Sequence, residues 1–412
     1  MKRGALAGYG ALGLPLAMVA LPVYMQVPSW YVAQVGVSLS LVGLVLFGAR
    51  IFDTVQDPFL GRLIDLLARR GRLGVALWAA ALVLALAFAG LWFPPSGASA
   101  WQPVAWLAFM LALVYAAHSL LNITLLSWGA RLSADTRVRT QASAWRESAG
   151  LVGVIVASVL PQWLLRSGSG SGNQAMAVYA LVFAFLLAAG LVALLRGAPP
   201  WQRSTQQATP GRVRAVAAVR RLWPAYFVNA LAVSIPGTLA LFFIADRIDR
   251  AAWSGYFLSA YFVAGAAGMP VWTRLAGRFG AAPVWAGAMV LAVCTFVWTG
   301  LLGRGDALAY GAVCVLSGLA LGADLVLPPV LLAAAIPPNQ DPGAHYGVWT
   351  LLGKLATAMA ALSLPLLTVL GYRPGPLGGG TGALTVAYAV IPCALKLLAL
   401  TLLYVLVIAK KE

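Results

Sequence analysis

Acidic side chains are the scarcest material in this 412-residue chain: Asp and Glu together number 11, and charged residues of both signs make up only 9%. A soluble domain carries roughly a quarter charged residues, so a solvated globular surface is excluded. Histidines number two and cysteines three, and Cys294, Cys314 and Cys393 lack metal-ligand spacing. That argues against a zinc site and a disulfide scaffold and makes the cysteines packing residues. No GxxxxGK[ST] stretch occurs, so an ion gradient is a better expectation than nucleotide hydrolysis for any work the chain does. Polar stretches are nearly absent as well, the longest being GAPPWQRSTQQATPGRVRAVAAVRR.

What is abundant is hydrocarbon. The composition is 61% hydrophobic, with a mean hydropathy of +0.87. Apolar runs of about 20 residues recur along the chain, which is helix length rather than the roughly 10-residue alternating segments of a membrane barrel. The expectation is an all-α polytopic protein with twelve spans, the first over 5–33, the second over 37–67 and the eleventh over 345–371. The polar stretch divides the chain into a bundle at 1–196, a linker at 197–220 and a bundle at 221–412, the pattern of a two-bundle transporter. The net charge of +17 is a topology signal rather than a nucleic-acid footprint, because the basic residues fall in loops on one face. Lys2 with Arg3, Arg69 with Arg70 and Arg72, Arg137 with Arg139, the linker, Arg274 with Arg278, and Lys410 with Lys411 share that face; Arg166, Arg304 and Arg373 oppose it. Both termini are therefore expected in the cytoplasm, in a multi-pass protein of the inner or plasma membrane. The opening MKRGALAGYG reads as the start of the first span, not a cleaved signal.

Against this background the second span is anomalous. Asp53 and Asp57 lie four residues apart on one helical face, with Arg50 three residues before the first. A charge at membrane depth costs about 2.5–3.5 kcal/mol even on the gentlest scale and is kept where it faces a polar pathway. An ion site is the sharp reading, and an Arg50–Asp53 packing pair is the plain one. Lys354, alone in the middle of the eleventh span, needs an acidic or carbonyl partner, with Asp324, Asp53 and Asp57 as candidates. Lys396 in the twelfth is expected to reach a neighbouring carbonyl, in a structural role. Tyr115, Ser119 and Asn122 recur at i, i+4 and i+7 on the fourth span, so this stripe should face a cavity. Beside it, His118 is either a proton relay or a histidine bonded to an adjacent helix. Arg146 and Glu147, at the start of the fifth span, belong to the cavity or form an interfacial pair.

Four stretches carry a resemblance that covers most of the chain: ARIFDTVQDPFLG, DTRVRTQASAWRESAG, GADLVLPPVLLAAAIP and YGVWTLLGKLATAMA. They resemble the glycoside–pentoside–hexuronide cation symporters, the melibiose-permease-like branch of the major facilitator superfamily. The resemblance implies twelve transmembrane helices in two six-helix bundles, alternating access, a monomer, a small-molecule substrate, and no cofactor beyond a coupling Na+ or H+. It puts Asp53 and Asp57 at the family's cation carboxylates, with Gln56 where an asparagine is usual and Ser119 at the hydroxyl of helix four. It puts Arg146, Thr350 and the Asn122 position on the substrate side and Lys354 at the lysine that links cation and substrate, while residue chemistry adds His118 and Trp349 to the substrate-side candidates and Arg50 and Asp324, with Lys354, as the coupling network. GRLIDLLARRGR is similar to the general facilitator loop, which implies a cytoplasmic gate from Gly61, Arg62, Asp65, Arg69 and Arg70. At the positions where sugar-transporting relatives grip hydroxyls with acids, this chain has Ala17 and Asn122. A sugar, glycoside or other polar solute is thus the expected cargo, and a lysolipid-like amphiphile the alternative. An intramembrane prenyltransferase reading of Asp53, Asp57 and Asp65 as a magnesium site lacks the second acidic cluster that chemistry needs, and a non-transporting sensor or scaffold is the remaining rival.

Overall fold

The computed structural model describes residues 3–20, 22–95, 101–133, 135–166, 172–201, 217–337, 340–372 and 379–409. Lys2, Arg373, Lys410, Lys411 and residues 202–216 of the linker lie outside them. Hydrocarbon offers no partner to a backbone amide, so a chain of this composition satisfies its N–H and C=O groups within helices. Among the described residues, the helical segments group into twelve successive rods. Eight helices among the described residues are long and apolar enough to cross a bilayer. The chain forms two compact units, one of residues 1–133, 145–210 and 338–351, the other of 134–144, 211–337 and 352–412.

In the first unit, the rod expected to be continuous over 5–33 is broken. It comprises α1 (Arg3–Ala11), α2 (Gly13–Met18), a π-helical turn at Pro22–Gln26 and α3 (Val27–Ala33). Pro15, Pro22 and Pro28 each remove an amide donor and crowd the preceding turn, so the rod cannot keep one hydrogen-bond ladder. Then follow α4 (Leu39–Arg69), α5 (Leu73–Gly90), α6 (Gln102–Arg131), α7 (Thr136–Arg166) and α8 (Gly172–Gly197). Ser38 caps α4 by accepting the Leu41 amide at 3.4 Å, and the helix runs unbroken through Pro58. The apolar helices α5 and α8 lock through aromatic rings: Phe88 and Phe183 have centroids 4.3 Å apart, and Trp92 meets Tyr179 edge-on at 6.2 Å. Such pairs add about 0.5–1.5 kcal/mol beyond burial.

The second unit contains α9 (Ala217–Phe242), α10 (Ser254–Phe279), α11 (Ala281–Phe296) and α12 (Ala307–Ala335), followed by α13 (Pro342–Ala361) from residue 352 onward. It ends with α14 (Ser363–Val369), α15 (Thr381–Thr385) and α16 (Ile391–Leu403). Lipid tails are as apolar as leucine, so helices here associate by close packing, which favours small residues at contacts. The pair α10 and α12 shows this: a Cβ at Gly268 would lie 2.9 Å from the Leu319 carbonyl oxygen, and one at Gly322 2.5 Å from that of Gly265. Trp272 closes the contact by donating its indole N–H to the Leu319 carbonyl at 2.7 Å. The eleventh rod begins three residues earlier than the sequence pattern places it, at Pro342, because its first amides find a partner on α4.

Candidate functional site

α4 carries its charges into the first unit. Asp53 is 3% exposed and Asp57 fully buried. The Asp53 Oδ1 accepts a hydrogen bond from the Ser119 hydroxyl of α6 at 3.1 Å and a longer one from Gln56 Nε2 at 3.4 Å. Arg50 and Asp53 both lie in the surroundings of the Tyr115 hydroxyl, and Arg50 bonds to it. Asp53, Gln56, Ser119, Arg50 and Tyr115 are thus one cluster, built by the i, i+3 register of α4 facing the i, i+4 register of α6. Asp57 lies one turn further along, where the backbone of α13 comes so close that a Cβ at Gly347 would sit 2.5 Å from the Asp57 carbonyl oxygen. The cluster offers carboxylate, amide and hydroxyl oxygens of the kind that bind hard cations. Among the described residues no group of three or more His, Cys, Asp or Glu side chains is placed to hold a metal ion, so no transition-metal donor set stands beside it.

The substrate-side candidates divide. On α6, His118 Nε2 lies 3.1 Å from the Leu16 carbonyl, the helix-bonded arrangement rather than an open relay. Asn122 is half-buried one turn below Ser119. Arg146 is buried and ion-paired with its neighbour Glu147, with Tyr9 close to the guanidinium. On α13, Trp349 is only 4% exposed. Thr350 turns its hydroxyl back to the Tyr346 and Gly347 carbonyls at 3.0 and 3.1 Å.

The residues expected to form a gate are also sorted. Asp65 accepts the Gly343 and Ala344 amides, both at 2.8 Å, and so caps the start of α13. Unsatisfied amides at a helix N-terminus and their dipole favour an anion there. Gly61 packs directly on the Gly343 backbone, and Arg69 pairs with Asp341 at 3.3 Å. Arg62 and Arg70 do not join them: both are exposed, and Arg62 lies over its own neighbour Phe59 at 5.9 Å. Sequence reasoning missed two members of this set. Asp341 is shared by Arg69 and Arg131, and the Arg131 guanidinium stacks over Trp201 at 5.3 Å. The signals were present in the Asp341-Pro342 helix start and in the Gly343-x-x-x-Gly347 spacing, which permits close backbone approach.

In the second unit Asp324, one of the three partners considered for Lys354, is engaged by another lysine. Asp324 of α12 is ion-paired with Lys396 of α16, while its other oxygen accepts Trp285 Nε1 at 2.8 Å and Asn229 Nδ2 at 3.1 Å. Lys396 therefore finds a carboxylate instead of the expected carbonyl. The reason is geometric: Lys396 falls on the inward face of α16 at 5% exposure, and Asp324 is the acid that α12 presents there. Of the residues expected in a coupling network, Arg50 lies near Tyr115 in the first unit and Asp324 is paired with Lys396 in the second.

Solved structures place this architecture. A bacterial homologue of the iron transporter ferroportin, in an outward-facing state, superposes with a TM-score of 0.73 at 16% identity over 98% of both chains. The E. coli fucose:proton symporter FucP gives 0.70 at 15% identity, covering 97% of this chain and 96% of that one. The human organic anion transporter MFSD10 gives 0.62 at 21% identity over 97% of both. At these identities the likeness shows the fold alone, that of the major facilitator superfamily. The sequence profile described as MFS/sugar transport protein matches residues 6–410, and on that match the chain belongs to this melibiose-permease-like family of transporters and is not an enzyme.

Proposed function

We propose that the chain is a cation-coupled symporter of the inner or plasma membrane, working by alternating access, in which Na+ or H+ binds at Asp53 and Asp57. One observation carries the reading: a buried carboxylate, Asp53, gathers the Ser119 hydroxyl and the Gln56 amide. A sodium-sized cation wants about five or six oxygens, and two carboxylates with an amide and a hydroxyl supply most of such a shell. A single proton would instead be shared in a carboxylate pair. Asp65 with the Gly343 and Ala344 amides, and Asp341 with Arg69 and Arg131, act as the cytoplasmic gate. The cargo is a sugar, glycoside or other polar small molecule. Ala17 and Asn122, in place of hydroxyl-gripping acids, support the second reading, a lysolipid-like amphiphile.

A thermal-shift screen of sugars, glycosides and lysolipids, with and without sodium, tests cargo and ion together: the true cargo raises the melting temperature further when its ion is present. Cation-independent shifts for every ligand remove the coupling. Because no carboxylate stands at position 17 or 122 to accept hydroxyl bonds, simple galactosides are expected to bind weakly or not at all. Tight, cation-enhanced galactoside binding would overturn that. The one-sided basic loops lead to a topology test. Cysteines introduced at Arg70 and Thr209 should resist an impermeant maleimide in intact cells, and one at Arg373 should react. Labelling at Arg70 from outside reverses the orientation.

A further inference from the structure

The second unit holds a cavity of about 350 Å³ that the coupling reading does not use. Its two sides differ in chemistry. α12 lines it with Tyr310, Cys314, Ser317 and Asp324, spaced at 4, 3 and 7 residues and so on one helical face. α16 and the π-helical turn before it add Lys396, Cys393 and Tyr388, and α10 adds Tyr261. The opposite side is hydrocarbon from α9 and α11, including Val233, Ala292 and Phe296. Between α9 and α10 the wall includes Gly237 and Phe262, both exposed, so the cavity reaches the protein surface.

The polar side is mostly spent on itself. The Tyr310 and Tyr388 hydroxyls bond each other at 2.7 Å, and Ser317 donates to the Val313 carbonyl at 2.6 Å. Two groups keep capacity toward the void. Lys396 has three N–H donors and commits one to Asp324. Tyr261 lines the same cavity as Asp324, where its hydroxyl can take a further partner. Size and charge then select a ligand. A cavity of about 150 Å³ accepts benzene, so this one takes a molecule of about twice that bulk. A formal charge on the ligand would meet a neutral Asp–Lys pair in low dielectric and lose its hydration without a counter-ion. A hydroxyl has no such penalty: it accepts from Lys396 and donates to Asp324.

We infer that the Asp324–Lys396 cavity of the second unit binds an uncharged amphiphile, an alcohol or phenol of about ten to fifteen heavy atoms, with its hydroxyl on the ion pair and its hydrocarbon against α9 and α11. The cavity shares no lining residue with the Asp53 cluster, and its test measures binding, not transport, so its failure leaves the coupling reading standing.

The probe is a diazirine-bearing decanol, applied to the full chain in phosphatidylcholine nanodiscs with empty nanodiscs as the partition control. Saturable photo-adducts are expected on the peptides of α12 and α16. Unlabelled 1-decanol should compete at least tenfold better than decanoate or decylamine, each corrected for its own partition. Ala292→Trp, which fills the cavity from the hydrocarbon side, should abolish the adducts. Tyr261→Phe should weaken decanol while leaving a hydroxyl-free decane probe unchanged. Equal competition by the three head groups, or adducts that persist in well-folded Ala292→Trp protein, would show lipid partitioning and overturn the site. Should Ala292→Trp fail to fold, Val233→Phe fills the same wall from α9 and is read by the same criteria.

Discussion

Asp57→Asn protein is expected to fold and melt close to wild type while losing cation-driven accumulation by about 5- to 150-fold, the range of a coupling energy of about 1–3 kcal/mol. The substitution conserves volume, so it opens no void at this fully buried position. Downhill exchange should survive, because the amide withdraws only the cation's contribution to the cycle. Asp53→Asn is the control. Its amide oxygen can still accept from Ser119 and Gln56, so a purely packing role predicts little loss of uptake in whatever protein folds, together with a lower melting temperature from the disturbed Arg50 surroundings. The paired measurement is the detergent melting temperature and the uptake with and without an imposed sodium or proton gradient. Wild-type cation dependence in Asp57→Asn protein would remove this residue from the coupling site.

The largest stability effect is expected at the other buried charge. Lys396→Met keeps an unbranched side chain of similar length but leaves Asp324 in hydrocarbon with only the Trp285 and Asn229 donors. Removing one partner of a buried pair costs about 3–5 kcal/mol, against about 1 kcal/mol or less for a surface pair. Adding Asp324→Asn should restore most of the loss, since a neutral amide still accepts from Trp285 and Asn229 and no longer needs a counter-ion. The check is a melting-temperature cycle of the two single variants and the double. Additive losses in the double variant would mean that the two side chains contribute separately and not as a pair.

The fold was legible because membrane helices announce themselves through length and hydropathy, and the second-span carboxylates because a charge in hydrocarbon is conspicuous. What the sequence hid has a common physical cause. The partner of Asp65 is a pair of backbone amides, invisible to any search for opposite charges. Lys396 and Lys354 looked alike in one dimension, each a cation in an apolar span, and only the arrangement of the helices in space reveals that Lys396 meets Asp324. The break in the first rod could have been read from Pro15, Pro22 and Pro28, whose spacing leaves no uninterrupted run of α-helical bonds across them.

The Asp324–Lys396 pair also imposes an order on biosynthesis. The two residues are 72 positions apart in the chain, with Asp324 made first. At about 5–20 residues per second, the carboxylate waits roughly 4–15 s for its ammonium to be synthesised. During that interval α12 must hold an acid at membrane depth, so it is expected to stay beside the translocation machinery until α16 arrives. A nascent chain arrested between the two residues should therefore remain accessible to membrane quality-control proteases, and release should come with the last helix rather than with the tenth.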